Sequence, residues 1–253
     1  MKKCAFCENP ANSGEHLWSD WICELIPHKG FTLRRLDTST GKYHPWHSST
    51  LDQKTKVVCR ECNSTWMSDI ESEARQTLSN VIVDGAPLTL LPRGIAALTA
   101  YAFKCVVISN HMNLHSQEPY FLPYIRHRFR DYLEIPRGTQ MWLSAFRGKH
   151  ASNGVYAGYF ARPQDRDDFE FYVFTFMAGF LVFQVACPRA NKLHLVGRRL
   201  PRLAPTQKWS EATTQFWPND HGLPILWPPR LYLSDDTINV FRDRFSGTVN
   251  VIL

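Results

Sequence analysis

The chain lacks any apolar run that approaches the roughly 18 residues needed to cross a hydrocarbon core. It also lacks a leader-like start, because Met1-Lys2-Lys3 runs into Cys4 and Cys7 with no apolar stretch between them. Both absences predict a cytoplasmic protein with no membrane partner. There is no internal repeat and no low-complexity tract, which excludes solenoids and biased linkers as the main architecture. Residues 1–62 are short of long apolar runs and rich in His, Ser, Thr and Gly, so a bound metal is expected to supply stability that core burial there cannot.

What is present is the composition of a globular protein of 253 residues, enough to bury one or two cores. The formal charge of +6 is unevenly placed. Residues 1–85 hold 10 Lys/Arg against 11 Asp/Glu, whereas residues 86–253 hold 19 against 12. A near-neutral head on a basic body suits a protein that grips a polyanion, although solubility alone also accounts for such a balance.

Elements can be read from spacing. Asn63-Ser64-Thr65 offers capping side chains, and Trp66, Met67, Ile70, Ala74, Leu78 and Val81 recur at helical intervals, predicting a helix to about Asn80. Asp84-Gly85-Ala86-Pro87 breaks that pattern and places a domain boundary near Gly85. Ile95 to Asn110 reads as a buried helix and Tyr120 to Leu133 as a second one carrying Arg126, Arg128 and Arg130. Residues 140–146, 155–161, 169–175 and 180–186 read as strands. The proline-rich stretch 200–230 is expected to be mostly irregular, with a closing helix from Asp235 to Phe245. The predicted class is α+β: a zinc-stapled domain over 1–85, then an α+β domain over 86–253 with a helical segment and an antiparallel sheet. The second domain carries no motif tied to a reaction, and selecting a substrate, regulating the first domain or joining copies of the chain are all open roles.

Seven cysteines are an odd number, and four of them form Cys4-Ala-Phe-Cys7 and Cys59-Arg-Glu-Cys62. Each CxxC presents two thiolates from one tight turn, as a tetrahedral zinc ion requires, and four sulfurs close its coordination shell. This predicts structural zinc on Cys4, Cys7, Cys59 and Cys62; a redox sensor built on the same pairs is the minor reading. Cys23, Cys105 and Cys187 sit among apolar neighbours and are expected to be inert.

Within the zinc loop lies Ser13-Gly14-Glu15-His16-Leu17-Trp18, and Asn63 directly follows the last cysteine. A carboxylate followed by His at a strand end can set a metal ligand beside a general base if a bulge bends the strand. The four-cysteine frame, the Glu15-His16 pair and Asn63 together resemble the HNH, or ββα-metal, endonucleases, most closely the endonuclease VII type. Glu15-His16-Leu17-Trp18-Ser19-Asp20-Trp21 and the run from Val57 through Glu71 also look like a group of predicted bacterial HNH nucleases, a resemblance covering mainly residues 1–110. It implies a metal-dependent endonuclease in which His16 activates water and Glu15 and Asn63 bind a catalytic magnesium or manganese ion. The implied partner is nucleic acid, DNA before RNA, with double-stranded DNA the expected substrate. Two departures stand out: no Asn lies between Ser13 and Cys62 where the family carries a loop-clamping one, near Lys54 here, and Glu15 replaces the commoner Asp. The alternative is a zinc-dependent nucleic-acid-binding module that cleaves nothing.

Other candidates are assigned bland roles. His28, His44 and His47 fit no ligand spacing; Asp69 and Glu71 are explained by the dipole of their helix; Trp18 and Trp66 belong in a core. Arg126, Arg128 and Arg130, with Arg198, Arg199 and Arg202, are basic clusters that could meet a phosphate backbone.

Overall fold

The structure, a computed structural model, describes residues 2–26, 31–37, 42–48, 54–112, 119–149, 153–160, 169–190, 203, 209–245 and 250–252. The chain begins with the Cys4–Cys7 turn, then β1 (Ser13–His16), α1 (Asp20–Leu25), the antiparallel pair β2 (Phe31–Asp37) and β3 (Lys42–Ser48), and β4 (Lys54–Val58), which returns to pair with β1. Next come α2 (Arg60–Ser64) and α3 (Trp66–Asp84). The first part thus has two antiparallel strands followed by a helix, with α1 and a hairpin inserted between the strands.

The second part runs through β5 (Leu88–Leu90), α4 (Pro92–Met112), α5 (Pro123–Tyr132), β6 (Gln140–Ala145), β7 (Asn153–Phe160), β8 (Phe169–Ala178) and β9 (Leu181–Ala190). It closes with β10 (Thr214–Trp217), β11 (Ile225–Trp227), α6 (Ile238–Arg242) and β12 (Asn250–Ile252). Six strands make one antiparallel sheet in the order β10-β6-β9-β8-β7-β12, and β5 pairs with β11. Helices with antiparallel sheets make the class mixed α and β, in line with the α+β expectation. Among the described residues no helix is long and apolar enough to cross a membrane.

The sheet is strongly apolar because it is covered on both sides. Met141, Leu143, Ala145, Phe174, Phe176, Phe183 and Val185 face inward into the same buried cluster as Leu98, Tyr101, Ala102 and Phe103 of α4. Helix α4 is buried nearly all round because it lies between this sheet and α3 with β4. That same cluster contains Phe6, Val57, Val58, Met67 and Ile70, so one continuous core spans residues on both sides of Gly85. Trp142, Phe171, Val173 and Ala186 point to the other face, as do Phe146, Met177 and Val182 beneath Trp209, Leu233 and Phe241.

Several element boundaries move from their expected places. Helix α3 continues to Asp84 because Val81 and Ile82 are buried, and it stops where Gly85 takes a left-handed conformation (φ 64°), its N–H reaching the Val81 carbonyl at 3.1 Å. The closing helix is only Ile238–Arg242: residues 234–237 form a turn in which the Thr237 hydroxyl accepts from the Ser234 N–H at 2.7 Å. The stretch 200–230, expected to be mostly irregular, contributes only the short strands β10 and β11 among its described residues. Cys105 and Cys187 are buried as expected, but Cys23 is partly exposed, with its thiol 3.5 Å from the Trp18 carbonyl.

Candidate metal centre and its surroundings

The two CxxC turns meet. All four cysteines are buried, and their sulfurs lie within 4.8 Å of one another. Cys7 Sγ is 3.6 Å from Cys59 Sγ and 3.7 Å from Cys62 Sγ. A Zn–S bond of about 2.3 Å implies a tetrahedron edge of about 3.8 Å, so these separations fit one zinc ion with four sulfur ligands. The geometry follows from local turns: the Cys4 N–H reaches the Asn9 carbonyl at 2.8 Å, the Phe6 N–H points to Cys4 Sγ at 3.4 Å, and the Cys62 N–H points to Cys59 Sγ at 3.4 Å. The Cys62 thiol beside Cys4 holds Cys4 down to about 5, while burial pushes Cys7 up to about 11. One thiolate is therefore easily formed, and a metal would displace the remaining protons.

The frame is anchored on three sides. The Ala5 N–H donates to the Val57 carbonyl at 2.7 Å, Phe6 packs edge-on to Trp66 at 4.9 Å, and the buried Arg126 donates to the carbonyls of Ala5 and Phe121. Arg126 is thus committed inside the molecule. Arg128 pairs with Glu134 and Arg130 with Asp131, while Arg198, Arg199 and Arg202 lie outside the described residues.

Strand β1 carries the Glu15-His16 pair. It matches Ser13 to Val58, Glu15 to Thr55 and His16 to Lys54, with a register shift that leaves Lys56 and Val57 together opposite Gly14. The bulge falls before the Glu-His pair and on the partner strand. Glu15 and His16 therefore still alternate: Glu15 is buried, while His16 Nε2 lies 2.8 Å from a carboxylate oxygen of exposed Asp20. Asn63 reaches back to the same strand, its Nδ2 donating to Ser13 Oγ at 2.9 Å and to the Gly14 carbonyl at 3.2 Å. Cys59, Cys62, Asn63 and β1 are thereby held as one unit.

The partner of Glu15 is Lys104, in the middle of α4. Its ammonium lies 2.7 Å from Glu15 and is also bonded to Glu71 of α3. Ser19 donates to Glu71 at 2.6 Å and lies 3.1 Å from the Tyr101 hydroxyl. Burial opposes the charge on Lys104, but the two carboxylates outweigh it and raise its pKa, so the ammonium persists. Burial pushes Glu15 upward against the pull of Lys104, whereas on Glu71 burial also pushes upward but the charge of Lys104 and the bonds from Lys104 and Ser19 together outweigh it and lower its pKa. Lys104 was legible as a signal: a lone lysine in an otherwise apolar buried helix must find an anion inside. Glu71 does more than favour its helix dipole.

Among the described residues, the four cysteines are the one group of three or more His, Cys, Asp or Glu side chains poised around a common point. Glu15, His16 and Asn63 converge on the short β1 segment without forming such a group. His28 lies outside the described residues, His44 is on β3, and His47 on β3 is exposed. Trp18 and Trp66 pack in the core, Trp18 donating to the Met177 carbonyl at 3.4 Å. No protein-family model, curated protein or solved structure matches the chain.

Proposed function

We propose that this protein is a metal-dependent endonuclease of the HNH type, acting on nucleic acid with double-stranded DNA as its first substrate. The observation that carries the reading is the placement of His16, its Nε2 2.8 Å from an Asp20 carboxylate oxygen, and Asn63 on one strand–strand–helix frame pinned by four buried cysteines. In this reading His16 is the base that takes a proton from water, with the Asp20 carboxylate beside one ring nitrogen to orient the imidazole. Glu15 and Asn63 would hold a magnesium or manganese ion, which supplies charge stabilisation to the leaving oxygen. The Asn63 amide already touches the backbone beside Glu15, and Lys104 holds a Glu15 oxygen, so metal binding by Glu15 must use the other oxygen or displace Lys104. The basic character of residues 86–253 is available to a polyanion.

The Lys104–Glu15 pair also favours a second reading, in which the frame binds nucleic acid and cuts nothing, because a fixed ammonium already neutralises the carboxylate that a metal would use. Incubating zinc-loaded wild type and His16→Ala with supercoiled plasmid, linear duplex, single-stranded DNA and RNA, in magnesium, manganese or chelator, separates the two. The nuclease reading expects metal-dependent cutting by the wild type and a loss of about 100-fold or more in the variant. Equal silence from both proteins, with nucleic acid still retained, would leave the binding module.

A further inference from the structure

The outer face of the six-stranded sheet carries an arrangement that the zinc lobe does not use. Register places Trp142 of β6 beside Gln184 of β9, Gln184 beside Thr175 of β8, and Thr175 beside Tyr156 of β7. This row divides the apolar cluster around Phe146, Met177 and Val182 from the one around Phe171, Val173 and Ala186. Polar groups in a buried face need partners, and Gln184 has a full set. Its Nε2 donates to Thr175 Oγ1 at 2.8 Å and to the Arg242 carbonyl at 3.1 Å, while its Oε1 accepts from Arg244 Nε at 2.7 Å.

Arg244 is therefore fixed by one edge, with its guanidinium 5.0 Å from the centre of the Trp142 ring and 4.4 Å from those of Phe241 and Phe245. The opposite edge is unsatisfied. Both Nη1 and Nη2 are out of water with no hydrogen-bond partner, and so is Trp142 Nε1. The adjacent Asp243 is engaged by Arg242, at 2.6 Å. Burial is the cause acting on the Arg244 guanidinium and pushes its pKa down. A guanidinium does not give up its proton in proteins, so the charge stays, and among the described residues it has no counter-charge. Arg244 as a residue is half-buried, which places the covered fork just beneath the surface.

We infer that Arg244 and Trp142 form a receptor for a phosphate-type oxyanion on the sheet face turned away from α4. The planar fork matches two oxygens of such a group, and the Trp142 ring beside the same guanidinium carries a further buried donor without a partner, suited to a third oxygen that a carboxylate does not offer. Gln184 is the positioning residue that presents the fork. The site is separate from the zinc lobe and stands whether or not that lobe cuts nucleic acid.

The test is thermal unfolding of the zinc-loaded full chain at matched ionic strength with inorganic phosphate, a nucleoside 5′-monophosphate, a short single-stranded oligonucleotide or acetate. At about a hundredfold excess over Kd, the wild-type midpoint should rise by about 5 °C. Arg244→Met should show no rise. Trp142→Phe keeps an aromatic ring and loses the donor, so it should bind about tenfold more weakly; it also keeps the test decisive if Arg244→Met does not fold. A response to inorganic phosphate supports the site, and a larger one to the nucleotide or oligonucleotide supports it while identifying the source of the phosphate. No rise with any phosphate compound, an equal rise in Arg244→Met, or acetate acting as strongly as phosphate would overturn the inference.

Discussion

Lys104 and His111 sit two turns apart on α4, and burial treats their charges in opposite ways. Lys104 keeps its charge because Glu15 and Glu71 surround it. Removing the ammonium leaves two carboxylates facing an apolar core, so Lys104→Met should lose about 3–5 kcal/mol in urea unfolding at neutral pH. The deficit should shrink toward pH 5, where the stranded carboxylates take up protons. His111 is buried with its Nδ1 2.9 Å from the Val107 carbonyl; burial, followed at a distance by Arg126 and Lys2, holds its pKa down to about 4. Its folded value lies below its unfolded value of about 6.5, so its contribution is fully present above pH 6.5 and is lost as pH falls toward 4. The shift corresponds to about 3 kcal/mol, and His111→Gln should flatten that part of the stability profile relative to wild type. A difference between the two proteins that stays constant from pH 7 to pH 4 would refute this assignment.

At the level of elements, the junction between the sheet and α3 depends on the turn joining β8 and β9. Gly179 in that turn has φ 53°, and a Cβ there would lie 2.0 Å from the Ile82 carbonyl oxygen of α3. The next residue, Phe180, donates its N–H to the same carbonyl at 3.2 Å and lays its ring against Gly85. Gly222 has a similar φ of 60°, but a methyl group added to it would meet nothing within 4 Å. The comparison isolates packing from backbone conformation. Gly222→Ala should cost about 1–2 kcal/mol from the left-handed conformation alone, and Gly179→Ala clearly more, because helix and turn must separate. Equal midpoints for the two variants in denaturant would show that the turn does not grip α3 as tightly as the distances indicate. Asn63 performs a related task beside the four-cysteine cluster, tying the α2 segment to β1 through two hydrogen bonds.

For the whole molecule, the cysteine cluster and the sheet share one buried core that includes Phe6, Met67, Phe103 and Phe176. Metal loss should therefore be felt beyond the first 85 residues. Mass analysis of the native protein should find one zinc per chain, and Cys59→Ser should lower that occupancy sharply. Structural zinc is worth on the order of 10 kcal/mol to a small domain, so chelation should bring down the main unfolding transition. If chelation removed zinc and left that transition in place, the lobe and the sheet would be energetically separate despite their shared core.

Spacing in the sequence determined the four-cysteine cluster that could hold a metal ion, because CxxC turns impose their geometry over a few residues. It also determined α3, α4 and four central strands, because helical and alternating apolar patterns are local records of which side will be buried. The short strands β5, β10 and β11 left no such record, since three or four residues cannot establish a period and their pairing partners lie far away in the chain. Position 15 showed a carboxylate but not that Lys104, 89 residues later, would neutralise it, and position 126 showed a basic face but not a guanidinium turned inward onto Ala5. Tertiary structure alone decided those roles, because the cost of burying a charge depends on which distant groups the fold brings within reach.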